Sequence, residues 1–315
     1  MIIKLYGVRG SCPTPIIQPE YEFKVKAILG KAYEEWKKNP KHFQIDDFVS
    51  SLPPNLKTNL GGNTTCAYVY SNAGERIILD CGTGVRVLGN DLVAEGIQPG
   101  MTLNILMTHT HWDHIQGWPF FKPAYFPTVN INFYSCISNL QERFERQQNL
   151  ENFPITLHQM MSKKSFNTLT LKETIQIGSL KITPFALKHP GSCTGYKIEE
   201  GKSVFLFCTD VEFTKVDYEA SLKELSQILK GADLMMIDAQ YSDDEAQKKA
   251  GWGHTSMKMA VEFAKAIGVK SLGLTHHEPD HPDQKIYNML PEEVNLQKEK
   301  NIEILLATEG MTFKI

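Results

Sequence analysis

One short polar run constrains this chain more than any other feature. Residues 108–114 read Thr-His-Thr-His-Trp-Asp-His, so three imidazoles and one carboxylate fall within six residues. The run follows the apolar segment 103–107, which predicts a buried strand. Imidazole and carboxylate groups together are typical ligands of Zn²⁺, Mn²⁺ or iron. The sequence therefore predicts a strand that ends in a metal-binding turn, and four ligands packed so closely indicate two metals.

Three later segments follow the same plan, in which an apolar run ends in a candidate ligand. His189 follows an alternating apolar segment and precedes a Pro-Gly turn, while Asp210 and His276 each end a short apolar run. The next residue, His277, is an alternative to His276. Alternation with the leucines two and four positions earlier in a strand favours His276.

These motifs resemble those of the metallo-β-lactamase-fold hydrolases, whose first metal motif is His-x-His-x-Asp-His and whose later ligands come in the order His, Asp, His. The resemblance implies two divalent metal ions, Zn²⁺ or alternatively Mn²⁺. It assigns His109, His111 and His189 to one ion, Asp113, His114 and His276 to the other, and Asp210 to both as a bridge. Two close ions lower the pKa of a bridging water and clamp the attacking and leaving oxygens of a displacement. The predicted nucleophile is therefore a bridging hydroxide, which Asp113 would orient.

The resemblance covers most of the chain and also implies the fold. Residues 4–15 and 58–66 look like a bacterial subgroup of predicted metal-dependent phosphodiesterases. Strand-like apolar segments occur at 2–6, 66–70, 77–79 and 103–107. Periodicity alone would suit any layered α/β architecture. The resemblance selects an α/β fold, the four-layer αββα metallo-β-lactamase sandwich, as a single domain over residues 1–315.

A second pair of polar residues resembles the branch that contains ribonuclease Z, the tRNA 3′-processing endonuclease, and related phosphodiesterases. His254 precedes an amphipathic helix predicted at 257–268, and Asp238 ends an apolar run. In that branch an acidic residue after a strand orients a histidine at a helix start. A carboxylate bonded to one ring nitrogen fixes the tautomer and favours the protonated ring. The resemblance implies that His254 is the general acid and Asp238 its partner, although Asp is shorter than the Glu that ribonuclease Z usually has.

Asp80 ends another apolar run and precedes the turn Cys-Gly-Thr-Gly. Glycine permits a close approach of the backbone, so this turn is interpreted as part of the pocket, with Asp80 bonded to a ligand histidine. The alternative is that Gly82 and Gly84 only turn the chain.

Residues 16–57 interrupt the opening motif and predict a helical insertion near the N-terminus. A stripe of apolar residues recurs there at helical spacing, namely Tyr21, Val25, Ile28, Leu29, Ala32, Tyr33 and Trp36. A shorter helix is predicted at 46–52. The stripe most simply packs on its own domain, and a lid over the pocket or a contact in a homodimer are the alternatives. A charged segment at 140–148 is interpreted as a helix with a solvated face.

Aromatic residues crowd the segment after the metal motif. They are Trp112, Trp118, Phe120, Phe121, Tyr125 and Phe126, and Trp252 stands beside the predicted acid. Most are expected to anchor the core. One or two are expected to contact substrate, because stacking on a nucleobase is worth about 1–3 kcal/mol.

Net charge separates the candidate substrates. With 33 Lys and Arg against 36 Asp and Glu, the formal net charge is -3. The chain therefore lacks the basic excess that binds a long polyanion. The sequence favours a phosphodiesterase of small phosphodiesters, above all cyclic nucleotides, over a tRNA 3′-processing enzyme. Lactam or thioester hydrolysis on the same fold, and nucleotide binding without turnover, are further alternatives.

The location of the protein is predicted from what the sequence lacks. No apolar run approaches the roughly 20 residues that a membrane span requires. The first residues lead into a predicted strand without a charged region before an apolar one. Six unpatterned cysteines are typical of a reducing compartment. A cytoplasmic protein is therefore expected.

Overall fold

Two sheets dominate the part of the chain that the computed structural model describes, residues 1–290 and 302–315. The first sheet has the spatial order 14-1-2-3-4-5-6, and its strands are β1 (Ile2–Gly7), β2 (Cys66–Tyr70), β3 (Arg76–Leu79), β4 (Thr102–Leu106), β5 (Asn130–Ser135), β6 (Lys163–Thr168) and β14 (Thr312–Lys314). The second has the order 13-12-11-10-9-8-7, and its strands are β7 (Ile175–Ile177), β8 (Leu180–Leu187), β9 (Cys193–Glu200), β10 (Ser203–Cys208), β11 (Leu234–Asp238), β12 (Ser271–Thr275) and β13 (Glu303–Leu306). Strand β14 thus returns to pair with β1 at the edge of the first sheet.

Helices connect and cover the sheets. They are α1 (Gln18–Lys38), α2 (Ile45–Ser51), α3 (Pro54–Lys57), α4 (Gly84–Glu95), α5 (Trp112–Ile115), α6 (Leu140–Gln147), α7 (Tyr218–Leu229), α8 (Asp243–Lys248), α9 (Met257–Ile267) and α10 (Asp283–Asn288). Short 3₁₀ turns lie at Trp118–Phe120, Lys122–Tyr125 and Leu157–Gln159. Within the described residues, each helix is too short or too polar to span a bilayer.

The side chains of the central strands separate into layers. Successive residues of a strand point to opposite faces of the sheet. In β11, Leu234 and Met236 pack between the two sheets, whereas Met235 and Ile237 pack on the outer side with residues of α7 and α9. The first sheet has an equivalent outer core beneath α4 and α6. The layers therefore run helix, sheet, sheet, helix, and the predicted αββα sandwich is confirmed.

The predicted elements also have nearly the predicted bounds. The strand predicted at 66–70 is β2, and the other three predicted strands differ from β1, β3 and β4 by one residue at one or both ends. The helix predicted at 257–268 is α9, whose C-cap is Gly268 in the left-handed conformation.

Strand direction brings the candidate site together. Strands β3 and β4 are parallel, and so are β10, β11 and β12. Strand β8 runs in the same direction as β10, because both are antiparallel to β9. The candidate ligands follow the carboxyl ends of β4, β8, β10 and β12. These ends meet along one edge of the sandwich, which is where α/β folds place their ligands.

The helical insertion has the predicted helices, but its apolar stripe does not pack as expected. Tyr21, Leu29, Tyr33 and Trp36 are exposed, and the one buried residue of α1 is Lys24. The expectation that the stripe packs on its own domain is therefore wrong for most of its residues. Periodicity shows that one face of a helix is apolar, but not which surface that face meets.

A buried ionic contact attaches the insertion to the rest of the molecule. Asp283 accepts hydrogen bonds from Lys24 Nζ at 2.6 Å and from Arg9 Nη2 at 3.0 Å. Arg9 also donates to the backbone oxygens of Glu278 and His281. One carboxylate thus joins α1, the segment after β1 and the start of α10.

Replacing that carboxylate should strongly destabilise the protein. Asp283→Ala leaves two cations without their buried partner, and breaking such a pair costs about 3–5 kcal/mol. The free energy of unfolding from urea titration measures the loss. The exposed Asp280 provides a matched control, because Asp280→Ala should change it by less than about 0.5 kcal/mol. Equal stabilities of the two variants would contradict the assignment.

Candidate metal centre

The structure brings all seven predicted ligands together. His109, His111, Asp113 and His114 lie on the turn after β4 and in α5, while His189, Asp210 and His276 come from three other strand ends. Ligand atoms of His109, His111 and His189 lie within 4.8 Å of one another, as do those of Asp113, His114, Asp210 and His276. These groups match the two sets that the resemblance implied.

Asp210 lies between the two groups. Its Oδ1 is 3.7 Å from His109 Nε2 and 3.9 Å from His189 Nε2. The same carboxylate is 3.1 Å from His114 Nε2 and 3.2 Å from His276 Nε2. This position suits the predicted bridging role.

Buried ring nitrogens that lack hydrogen bonds are further support for divalent ions in the cluster. Over residues 1–290 and 302–315, His109 Nε2 and His114 Nε2 are buried and lack a hydrogen bond of good geometry, although His114 Nε2 lies 3.1 Å from Asp210. A buried polar atom costs about 1–3 kcal/mol when it stays unpaired. Burial lowers the pKa of His109 well below its usual value, so this ring is neutral, as metal coordination requires. An imidazole and carboxylate donor set of this kind suits Zn²⁺ or Mn²⁺.

Asp80 holds the ring of His114, as interpreted from the sequence. His114 Nδ1 donates to Asp80 Oδ2 at 2.8 Å, which directs Nε2 to the cluster. The fully buried carboxylate also accepts from Thr108 N at 2.8 Å and Thr108 Oγ1 at 2.7 Å. Three hydrogen bonds therefore fix the Asp80 carboxylate, and the carboxylate in turn fixes the orientation of the His114 ring.

His276 faces the cluster, and His277 does not. His276 Nε2 lies 3.1 Å from Asp113 Oδ2, whereas His277 Nε2 donates to the backbone oxygen of Ala307 at 3.0 Å. Burial lowers the pKa of His277 to about 4, so it remains a neutral core residue. The geometry thus favours His276, although not for the predicted reason. It lies beyond β12 with φ 61°, a left-handed conformation that redirects its side chain, so strand alternation does not extend to it.

Two contacts that sequence reasoning missed position the second group of ligands. Gln240 Oε1 accepts from His276 Nδ1 at 3.0 Å. The backbone N–H of Ser11 donates to Asp113 Oδ2 at 2.8 Å. Gln240 follows the predicted acid partner by two residues, but its amide resembles any polar strand-end residue until the fold is known.

The predicted acid pair is formed in the structure. His254 Nδ1 lies 2.6 Å from Asp238 Oδ2, so the shorter aspartate does reach the ring. Asp238 is fully buried, and its Oδ1 accepts from the backbone N–H groups of Gln240 and Thr255, each at 3.2 Å. The His254 ring centroid is 4.8 Å from that of His276. The pair therefore stands next to the metal cluster rather than acting only as a helix cap.

A cavity of about 430 Å³ covers the cluster. Ser11, Thr110, Trp112 and His254 line it together with three of the candidate ligands. Of the seven aromatics, Trp118 and Phe121 are fully buried and Tyr125 and Phe126 pack partly buried against the core. Trp112, Phe120 and Trp252 are exposed, with Trp112 at 83%, so the expectation of a core position holds for four of the seven.

The charged helix α6 contributes to this region too. Arg143 Nη1 donates to Thr110 Oγ1 at 2.8 Å, and Phe144 is buried in the outer core. Interpreting this helix only as a solvated face was therefore wrong.

Two glycines let the backbone approach the ligand rings. A Cβ at Gly10 would overlap the ring of His276, and a Cβ at Gly253 would overlap His189 Nδ1. The backbone oxygen of Gly253 accepts from that same Nδ1 at 2.8 Å. Residue 10 belongs to the opening motif, which thus has a physical role at the site.

Gly253→Ala should displace His189 and reduce the metal content from two equivalents towards one. Gly251 supplies a matched control, because its φ of 89° is close to the 94° of Gly253 but a Cβ there meets nothing within 4 Å. Both variants carry the strain of a left-handed alanine, about 1–2 kcal/mol. Elemental analysis after gel filtration measures the bound metal. Two equivalents in both variants would contradict the role of His189.

Comparison with known proteins agrees with this geometry. The model of the beta-lactamase superfamily domain matches residues 75–277, more than half of the chain. Ribonuclease Z of Prochlorococcus marinus (strain MIT 9515) is 22% identical over 324 residues, covering 85% of this chain and 97% of that protein.

Solved structures show the same fold. The short form of human tRNase Z has a TM-score of 0.62 at 17% identity and covers 100% of this chain and 99% of that chain. A diphosphatase from the PhnP family has a TM-score of 0.60 at 18% identity and covers 99% and 96%. The chain therefore belongs to the beta-lactamase superfamily, as a metallo-β-lactamase-fold hydrolase that is similar to ribonuclease Z.

Proposed function

We propose that this protein is a dinuclear-metal phosphodiesterase that hydrolyses small phosphodiesters, with cyclic nucleotides as the leading candidates. The observation that carries the proposal is the buried Asp238–His254 pair beside the seven-residue cluster. Lactam or thioester hydrolysis on the same fold leaves His254 without an evident task. The names of two relatives, a ribonuclease Z and a diphosphatase, both denote cleavage of phosphate linkages.

Each group has a distinct task in this scheme. Two divalent ions held by the cluster would supply an activated water at neutral pH and neutralise charge on the phosphate. Asp113, whose Oδ2 is held by Ser11 N, is placed to orient the attacking water. As the bond from phosphorus to the leaving oxygen breaks, His254 transfers a proton to that oxygen. Asp238 bonds the opposite ring nitrogen, Nδ1, and so fixes the ring orientation and leaves Nε2 to face the leaving oxygen.

The surroundings of His254 favour a small substrate. The cavity over the cluster, about 430 Å³, is within the usual range for small-molecule sites. His254 also borders a second cavity of about 660 Å³, which is lined by Glu212, Glu219, Asp243 and Glu262 as well as two lysines. A surface with this charge does not attract a long polyanion.

Tests on a substrate panel separate this function from tRNA processing, which the similarity to ribonuclease Z keeps as the second candidate. Protein loaded with Zn²⁺ or Mn²⁺ is incubated with 3′,5′-cyclic and 2′,3′-cyclic nucleotides and with a precursor tRNA, and Asp210→Ala serves as the blank. Turnover of cyclic nucleotides that is absent from the blank supports the proposal. Cleavage of the tRNA alone would replace it with a ribonuclease Z activity.

His254→Ala should lose activity in a way that depends on the leaving group. A nucleoside alkoxide needs a proton as it departs, so its hydrolysis should slow by about 10²–10⁴-fold. A p-nitrophenyl ester of thymidine 5′-monophosphate releases a stable phenolate and should slow by less than about tenfold under the same principle. Initial rates on both esters measure the difference, and metal content is checked in parallel.

His158→Ala is the matched control, because this exposed histidine pairs with Glu145 at the surface, away from the cluster. It should leave both rates unchanged. An equal slowing of both esters in His254→Ala would show that His254 does not act as the acid.

A further inference from the structure

A third cavity, distinct from the two that His254 borders, opens beside the candidate metal centre on the side of Trp112. It has a volume of about 640 Å³ and is lined by residues that include Thr110, Trp112, Gln116, Arg143 and Arg146. Thr110 and Trp112 also line the cavity over the cluster, so the two spaces adjoin. We call this space the arginine cavity.

The arginine cavity carries two guanidinium groups. Among the described residues that line it there is no carboxylate. Arg143 donates to Asn139 Oδ1 at 3.0 Å and to Thr110 Oγ1 at 2.8 Å, and both acceptors are neutral. Over residues 1–290 and 302–315, neither Arg143 nor Arg146 forms an ion pair with a carboxylate. Guanidinium groups match the geometry of a phosphate and bind it through paired hydrogen bonds.

The position of these arginines relates them to the reaction. Arg143 holds Thr110, which stands between His109 and His111 in the metal-binding turn. A group bound by Arg143 and Arg146 would therefore lie next to a phosphate at the metal cluster. A substrate with a single phosphate would leave this charge unused.

Trp112 provides a surface between the two spaces. Its indole is 83% exposed and borders both cavities. A flat ring in this position suits a nucleobase, which stacks on aromatic side chains.

We propose that the arginine cavity binds a second phosphate of the substrate, one nucleotide away from the phosphate that is hydrolysed, and that Trp112 stacks on the base between them. The inference rests on the proposed function. Among small phosphodiesters, it favours dinucleotides that carry an additional phosphate over cyclic mononucleotides, which have one. Arg143 and Arg146 then determine specificity without taking part in the bond-breaking step.

Binding of three dinucleotides tests the subsite. ApA has only the linking phosphate, whereas pApA and ApAp carry one more at the 5′ or the 3′ end. Metal-loaded His254→Ala keeps the ligands intact during calorimetry. We expect pApA or ApAp to bind at least about tenfold more tightly than ApA, in keeping with charge-assisted bonds to arginine. Equal dissociation constants for all three would overturn the inference.

Variants test which residues cause the tighter binding of pApA or ApAp relative to ApA. Arg146→Gln in the same background should remove the preference, and the bond to Thr110 of the metal-binding turn, which comes from Arg143, is kept. Arg86→Gln replaces an exposed arginine on α4 that lines neither cavity, and it should keep the preference.

Trp112→Ala should weaken the binding of all three dinucleotides about tenfold, in line with stacking energies. Replacing the exposed Trp252 with alanine should not weaken their binding. A preference that survives both Arg143→Gln and Arg146→Gln would also overturn the inference.

Kinetics on the wild-type enzyme separate this inference from the proposed function. If bis(p-nitrophenyl) phosphate is hydrolysed but the three dinucleotides bind with equal affinity, the proposed phosphate subsite is rejected and the proposed phosphodiesterase activity is kept. If no diester is hydrolysed while the arginine-dependent preference persists, the proposed function fails and the anion subsite stands.

Discussion

The candidate site depends on hydrogen bonds that hold the ligand rings from behind. Four histidines each have an outer Nδ1 bonded within the protein, to Thr108, Asp80, Gly253 and Gln240 for His109, His114, His189 and His276 respectively. Each bond fixes the ring orientation and leaves Nε2 for the cluster. A buried imidazole without such a partner could turn away, and the separation of the ligand atoms would no longer be defined.

Three residues of the candidate site also have a backbone conformation that is normally unfavourable. Asp80, Asp210 and His276 have φ between 58° and 61°, which non-glycine residues seldom adopt. Each stands just beyond a strand end, where an extended backbone would carry its side chain onto the face of the sheet. Strain of this kind persists where the surrounding structure over-determines the conformation, as it does at functional sites. The packed sheets on either side supply that determination.

The sequence predicted the parts of the site that depend on local order. The cluster of ligands after β4 and the strand-end positions of His189, Asp210 and His276 follow from apolar runs and their last residues. Apart from Asp80, the groups that hold them do not, because the Gln240 side chain and the Ser11 backbone N–H are brought to the cluster only by the fold. The contact of Arg143 with Thr110 likewise joins residues 33 positions apart. Periodicity indicated a helix through the stripe from Tyr21 to Trp36, but not the surface that its apolar face meets.

One short segment couples the proposed proton donor, His254, to the candidate metal ligands. Asp238 Oδ2 is 2.6 Å from His254 Nδ1 and 3.8 Å from His276 Nδ1. Two residues later, Gln240 donates its backbone N–H to Asp238 and accepts from His276 with its side chain. Any shift of this segment would move the acid and the ligand together. In the proposed mechanism, the distance between the leaving oxygen and its proton source would thus be set by the same turn that positions a candidate ligand ring, as acid catalysis beside a metal cluster requires.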